Sequence, residues 1–434
     1  MVVRTMGVSV AGPVVAERLH DVLRRLFGRE APVRIHAWDG SVAGPADAPV
    51  VRVHSRRALR RLMWRPDELG LARAYVAGEV DVEGDLLTAL ERLAPFGRSI
   101  GRRPELTAAD RSELLRTAVL LGAVGPQPKP PPEEITGADR RHALVRDKTL
   151  SGAHDGPVTP ALLARVFGET LVPSSGYWSD PSYTLDDAQR AGLELACRKL
   201  GLTSGMRVLD VGCGWGAFLL HAAERYGVTG VGITLSPDQV EVATKRAVEA
   251  GLADRVEFRL ADWREVIDGP YDAIVGSGMM EYVGSARLAE YAGTLHELLR
   301  PGGRLLVHQV SRRGDPVVQE RSFIDAYVFP GAELLPLGTI VGTFEGAGFE
   351  VRDLESFREH YARSLRAWVS NLEEAWTACV RQTSPGRARV WHLHLAVSAL
   401  AFEAARISVH QLLAVRPQSD GRSGMPSTRL EWTL

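Results

Sequence analysis

Three glycines at alternate positions, Gly212, Gly214 and Gly216, stand where an apolar run, Met206 to Val211, gives way to a helical pattern, Trp215 to Arg225. Glycine at that spacing lets the backbone turn sharply and approach a ligand closely. The chemistry that uses such a turn is the holding of an adenosine cofactor at the end of a strand. The spacing is GxGxG, not GxGxxG, and the next strand pattern ends in Thr234-Leu235. A dinucleotide site would place an acidic residue there to grip the ribose, so a nicotinamide cofactor is disfavoured. Trp263, after Asp262, offers a flat apolar face that can either fill a core or stack on a base. Glu281 follows a fourth strand pattern, where ligands sit outside strand ends, and His308 lies within a fifth.

These residues need a scaffold of alternating strands and helices, and the sequence supplies one. Strand patterns at Met206 to Val211, Val228 to Thr234, Val256 to Leu260, Tyr271 to Val275 and Arg304 to Val310 are separated by helical stretches. That alternation predicts a parallel α/β sheet. Ser236-Pro237-Asp238-Gln239 opens a helix: Ser caps, Pro takes the first helical position and Gln can complete a capping box. Gly251 closes it, and Pro301-Gly302-Gly303 turns into the last strand.

The chain of 434 residues is long enough for two or three domains. Five prolines in the seven residues from Pro126 mark an extended spacer. The division expected is an N-terminal domain over 1–125, a Pro-rich linker over 126–140 and a larger domain over 141–434. The N-terminal part mixes short β-like runs (Val33 to Ala37, Val50 to His54) with helical patterns. Within it, Ser55 to Arg65 sets five arginines beside Leu59, Leu62, Met63 and Trp64. Such a helix can lie on anionic headgroups, or it can pack its apolar side on its own domain. A net charge of −1 gives no argument for nucleic acid. Three scattered cysteines indicate neither disulfides nor a zinc site, and fit a reducing cytoplasm. No apolar run has the length of a membrane span, so work on lipid would proceed from the membrane surface.

The string VLDVGCGWGAFLLHAAERYGVTGVGITLSPDQ resembles the first βαβ unit of the cyclopropane-fatty-acyl-phospholipid synthase and mycolic acid cyclopropane synthase family. Further matches keep their order: SSGYW at Ser174, GMMEYVG at Gly278, LLVHQV at Leu305, YVFPGAELLP at Tyr327 and HYARSLRAW at His360. The similarity runs from about Ser174 to about Pro417, and Gly70 to Gly84 resembles the N-terminal domain of full-length bacterial members. The resemblance implies a class I methyltransferase (Rossmann-like) α/β sheet with a helical lid, plus a smaller α+β N-terminal lipid-synthase accessory domain. It implies S-adenosyl-L-methionine as cofactor, held by Ser174, Asp210, Gly212, Gly214, Gly216, Thr234, Leu235, Gln239, Asp262 and Trp263.

It also implies the reaction. The family methylates the cis double bond of an unsaturated acyl chain, and the resulting cation is quenched by loss of a proton. Aromatic faces stabilise such a cation, and Tyr177, Trp178, Tyr361 and Trp368 are the candidates. In the family a bicarbonate ion is placed to take the proton. Its holders correspond to Glu281, His308 and Tyr361, with the backbone near Ser175 and Val310. Two departures stand out. Ser175 replaces the family's Cys, which excludes a thiol nucleophile, and the family's HHYD-like motif reads Gly152-Ala153-His154-Asp155 here.

The leading expectation is therefore a cyclopropane-forming enzyme acting on acyl chains, with an unsaturated, phospholipid-bound acyl lipid as partner. A cytoplasmic enzyme peripheral to the inner face of the membrane, and a possible homodimer, belong to the same expectation. The alternatives are a 10-methylene or 10-methyl branched product, C-methylation of a small metabolite, and a lipid-binding module without catalysis.

Overall fold

The computed structural model describes residues 14–99, 107–135, 159–314 and 321–433. They fall into two compact units. The first holds the described residues up to Glu134 together with Arg321–Phe323 and Pro385–Leu393, and the second holds the remainder. The Gly152 to Asp155 stretch lies outside the described residues.

The first unit runs α1 (Val15–Phe27), β1 (Arg34–His36), β2 (Val42–Ala43), β3 (Val50–Val53) and α2 (Arg56–Trp64). It continues with α3 (Glu68–Val76), β4 (Val80–Val82), α4 (Leu86–Ser99) and α5 (Ala108–Leu120). Its sheet has the order β2-β1-β3-β4, with β1 and β3 parallel and the other pairs antiparallel. Ser55 Oγ caps α2 by accepting from Arg57 N. The helix turns Ala58 and Leu59 inward, and Arg61 with them. A buried guanidinium needs a partner. Arg61 finds one in Glu79, with Nε–Oε2 at 2.8 Å and Nη2–Oε1 at 3.1 Å.

The Pro-rich stretch is not the free spacer its composition suggests. Arg61 Nη1 donates to Lys129 O at 2.8 Å, and Arg73 grips Glu134 through two bonds of 2.7 and 2.6 Å. Proline extends the backbone and removes donors, which leaves carbonyls such as that of Lys129 open to arginine. The first unit thus extends through Glu134.

The second unit begins with α6 (Pro160–Phe167), α7 (Leu185–Leu200), β5 (Arg207–Val211), α8 (Ala217–Tyr226) and β6 (Thr229–Thr234). Next come α9 (Pro237–Glu249), β7 (Val256–Leu260), β8 (Tyr271–Ser277), α10 (Met280–Val283), α11 (Leu288–Leu298) and β9 (Leu299–Arg312). After α12 (Phe323–Tyr327) follow β10 (Leu335–Pro336), α13 (Leu337–Gly346), β11 (Glu350–Ser356), α14 (Arg358–Glu374) and α15 (Trp376–Gln382). The last elements are α16 (Pro385–Glu403), of which Pro385–Leu393 belongs to the first unit, β12 (Ile407–Val415) and α17 (Leu430–Thr433).

The main sheet has the order β11-β12-β9-β8-β5-β6-β7, with the short β10 beside β9. Strands β7 to β9 in that order are parallel, whereas β12 runs antiparallel to both β9 and β11. This is the α/β sheet expected. Alternation along each buried strand feeds two apolar layers. Val208, Ala273 and Val275 pack with α7, α8 and α9, while Leu209 and Ile274 pack with α11 and α13. The strand order reverses at β5, between β6 and β8, which opens a crevice at the carboxyl ends of the parallel strands.

Candidate active site

The glycine turn leaves β5 as expected. Gly212 has φ +80, which strains any side chain, and a Cβ there would lie 2.5 Å from Met279 Sδ and force it to move. Gly214, at φ +53, has nothing within 4 Å of where its Cβ would be. The turn is therefore braced at Gly212 and open at Gly214, as close approach of a ligand to backbone requires. Gly216 then serves as the N-cap of α8.

Asp210, the penultimate residue of β5, is only 4% exposed. Burial alone pushes its carboxyl up to about 7. A carboxyl held so poorly ionised gains from any positive charge brought beside it. At the end of β6, Thr234 Oγ donates to Gln239 Oε1 at 2.6 Å. Gln239 therefore turns back to the strand end instead of completing a capping box; Ser236 Oγ alone caps α9, by accepting from Gln239 N. Leu235 stands half-buried between them. Asp262 is buried and spends its carboxylate on Arg264, with Nε at 2.5 Å and Nη2 at 2.8 Å. Trp263 is 5% exposed, edge-on to Tyr291 and with the Arg264 guanidinium 5.3 Å from its ring. Its packing is that of a core tryptophan at the rim of the crevice.

The segment carrying Ser174 and Ser175 is fastened to α14. Ser364 Oγ accepts from Gly176 N and from Trp178 Nε1, both at 3.0 Å, and donates to His360 O. Trp178 N donates to His360 Nδ1. Ser175 is buried, and its Oγ donates to Gly176 O at 2.8 Å. A serine one helical turn from His360 thus sets the loop, and sequence reasoning did not single it out.

Glu281 sits on α10, one turn of helix after β8. Its carboxylate is deep in the protein and its ionisation is disfavoured by burial, which outweighs hydrogen bonds from the Gln309 side chain and the Val310 N–H. Its Oε2 has no partner among the described residues. Tyr361 from α14 and Tyr291 from α11 both feel its charge, and burial holds both phenols well above the ordinary range. Asp210 also acts on Tyr291. Tyr361, Glu281, Tyr291 and Asp210 thereby form one electrostatic neighbourhood.

His308 belongs to a neighbouring one. Its ring meets Phe357 edge-on at 5.6 Å, and burial, with repulsion from Lys199 and His410, pushes it down to about 3. The imidazole is neutral at physiological pH, and its Nε2 has no partner among the described residues. Phe357 in turn packs on Tyr177 and His360.

Of the aromatic candidates for stabilising a cation, Trp178 does not qualify. The Arg363 guanidinium already lies 4.0 Å over its ring. Trp368 is buried edge-on between Phe167 and Tyr361. Tyr361 packs on Phe402 at 4.7 Å and meets Trp368 edge-on at 5.9 Å. Among the described residues no cluster of His, Cys, Asp and Glu could hold a metal ion.

The family model described as mycolic acid cyclopropane synthetase matches residues 152–412. A probable fatty acid methyltransferase of Pseudomonas putida is 35% identical over 405 residues, covering 92% of this chain and 95% of that protein. A tuberculostearic acid methyltransferase of Mycobacterium tuberculosis is 30% identical over 423 residues, covering 94% and 92%. Among solved structures, mycolic acid cyclopropane synthase CmaA1 in complex with SAH and CTAB superimposes with a TM-score of 0.55 at 29% identity. That match covers 59% of this chain and 94% of the other.

Proposed function

The chain belongs to the mycolic acid cyclopropane synthetase family of S-adenosylmethionine-dependent methyltransferases, and we propose that it methylates the cis double bond of an unsaturated fatty acyl chain and closes a cyclopropane. The observation that carries this reading is the pair of buried, unpartnered polar atoms, Glu281 Oε2 and His308 Nε2, at the carboxyl ends of the strands. Buried polar groups are rarely left unpaired, and a bound group at this end of the sheet would supply the partners that these two lack. An acceptor from Glu281 and a donor from neutral His308 suit a small anion with one hydroxyl, and bicarbonate has that form.

The residues of the crevice have separate tasks. Gly212 to Gly216, Thr234, Gln239 and the Asp262-Trp263 corner would hold the cofactor, and Asp210 would balance its positive charge. When bound, S-adenosylmethionine supplies an electrophilic methyl group. The double bond would give its electron pair to the new carbon–carbon bond as the carbon–sulfur pair stayed on sulfur, so the task of the residues holding the cofactor is to align the two. Tyr361 presents a π face to the cation left on the acyl chain. Loss of a proton from the new methyl then lets its C–H pair close the ring. Bicarbonate, when bound, would supply the oxygen that receives this proton. Glu281 and His308 would hold that oxygen acceptor in place.

A second reading has its own support. The relatives that match nearly the whole chain are named as fatty acid methyltransferases, one of them for tuberculostearic acid. A methyl- or methylene-branched chain forms if the proton leaves a neighbouring carbon. The CmaA1 structure that holds both SAH and CTAB supports a long-chain acceptor in either case.

We infer that the acyl chain is met at a lipid surface. Among the described residues no helix is long and apolar enough to cross a membrane. The first unit exposes Trp64, Leu115, Val119, Leu120 and Val124. These are neighbours: Trp64 Nε1 donates to Gly125 O, and Arg60 Nε donates to Ala123 O, just after α5. Exposed Arg56 and Arg57 lie on the same helix as Trp64. Aromatic and aliphatic side chains edged by arginine suit an anionic bilayer.

The test is incubation with labelled S-adenosylmethionine and mono-unsaturated phospholipid vesicles, followed by NMR of the acyl chains. Ring methylene signals support the first reading and vinylic or methyl-branch signals the second. Cofactor binding without labelled lipid would overturn both.

A further inference from the structure

Helix α9 lies directly against the glycine turn. A Cβ on Gly216 would come 2.6 Å from Phe258 Cζ and 3.1 Å from Ala243 Cβ, so the missing side chain lets the turn rest on the helix. Arg246, three residues after Ala243 and on the same helical face, also reaches the turn. Its Nη1 donates to Trp215 O at 2.6 Å. That carbonyl precedes the first bond of α8, which Leu220 N makes to Gly216 O at 3.0 Å. It therefore takes its partner from outside the helix. On the other side of the same peptide unit, Gly216 N donates to Cys213 O at 3.0 Å. The unit is planar, so these two bonds fix its orientation, and with it the turn whose open side is Gly214.

The second arm of the guanidinium goes to a different segment. Arg246 Nη2 donates to Thr170 O at 3.0 Å, between α6 and Ser174. This segment is strained: Leu171 is buried with φ +55, a left-handed conformation that a bulky side chain resists. Such a residue persists only where its surroundings hold it. Gln189 of α7 holds one side, donating from Nε2 to Phe167 O at 2.7 Å and to Val172 O at 2.9 Å. Arg246 holds the other, and the Phe167 ring stacks on that of Trp215 at 6.4 Å.

We propose that Arg246 is a positioning residue for the cofactor: its guanidinium fastens the Trp215 carbonyl, inside the glycine turn, to the Thr170 carbonyl, on the segment that leads to Ser174. This rests on the reading of the glycine turn as the seat of S-adenosylmethionine. A guanidinium carries donors on both arms in one rigid plane and can hold two carbonyls at a set separation. A lysine ammonium on its flexible stem can bond either carbonyl but cannot fix both.

The experiment is isothermal titration of the full chain, Arg246→Lys and Arg246→Met with S-adenosylmethionine, with Gly214→Val as reference. The thermal midpoint of each cofactor-free chain and kcat at saturating cofactor are measured beside it. Both Arg246 variants should bind about tenfold more weakly, the worth of one charge-assisted hydrogen bond. Their kcat should stay within about threefold of wild type once the site is filled, because the loss falls on binding and not on the reacting atoms. If Arg246→Met does not fold, Arg246→Lys carries the test. Wild-type affinity in Arg246→Lys, with or without a lower thermal midpoint, would overturn the proposal, since Arg246 would then only brace the fold. Wild-type affinity in Gly214→Val, which fills the open side of the turn, would instead overturn the seat itself.

Discussion

The guanidinium of Arg363 lies 4.0 Å over the indole of Trp178, and the indole N–H is spent on Ser364. A ring already facing one cation has little to offer a second. Trp178 therefore acts by holding the loop that carries Ser174 and Ser175. Trp178→Phe should leave kcat within about threefold of wild type and cost about 1 kcal/mol of stability, the worth of one hydrogen bond. A hundredfold fall in kcat in steady-state assays would give Trp178 a direct part in the reaction.

Ser364 holds the same loop from the other side. Ser364→Ala leaves Gly176 N and Trp178 Nε1 without their acceptor. A buried donor without a partner costs about 1–3 kcal/mol. Thermal unfolding should show that loss, and isothermal titration should show weaker cofactor binding, since the loop carries Ser174, which the family resemblance assigns to the cofactor.

Glu281→Gln should keep cofactor affinity and lower kcat by about 10²–10⁴, the range of general acid–base assistance. The ordinary Glu value is near 4.3, and burial raises that of Glu281. Activity that needs the carboxylate ionised should thus fall with falling pH earlier than for an exposed glutamate. A pH–rate profile without an acid limb above the ordinary carboxylate range would contradict this role.

Asp210 gives a thermodynamic signature. The folded, cofactor-free chain keeps its proton up to about pH 7, whereas an unfolded aspartate releases it near 3.9. The folded state therefore binds more protons between those values, and this group's contribution to stability falls as pH rises through the window. A cationic cofactor removes the penalty. Differential scanning fluorimetry should show a larger upshift from S-adenosylmethionine at about pH 8 than at about pH 5, and Asp210→Asn should flatten that dependence.

The apolar face of α5 makes a separate prediction for the lipid surface. Leu120→Glu puts a negative charge on a face bordered by arginine, and each such charge near an anionic bilayer is worth about 1 kcal/mol. Flotation with phosphatidylglycerol vesicles should show weaker association, while turnover of detergent-dispersed lipid stays near wild type. Unchanged flotation with a shift from dimer to monomer would assign the face to a second copy of the chain instead.

Much of the catalytic half was legible in the sequence. The runs from Met206, Val228, Val256 and Tyr271 became β5 to β8 with boundaries close to those expected, because apolar strands between glycine and polar turns leave few alternatives. The strand read from Arg304 begins instead at Leu299, since the Pro301-Gly302-Gly303 turn is absorbed as an irregularity in the pairing with β8. The antiparallel pair β11 and β12 was not foreseen, as some fifty residues of helix separate its strands. Gln309, which accepts from Met280 N, was visible only as a polar residue in an apolar strand beside His308. Its partner is set by the packing of α10, which no local pattern encodes. Ser364 and Arg363 escaped notice for the same reason.

The first unit includes Arg321–Phe323 and Pro385–Leu393, segments drawn from the stretch of chain that otherwise builds the second unit. Within that first unit Arg389 grips Asp81, and Tyr75 Oη bonds His392 Nδ1. No single cut in the polypeptide separates the two units, whatever the proline run suggests. A truncation at the prolines would strip Arg389 and His392 of their partners, and a chimera joined there would inherit both segments from one parent and their binding surface from the other. Recombination among relatives would have to exchange three stretches together. The first unit, pieced together from three stretches interleaved with those of the second, is thus hard to shed or swap.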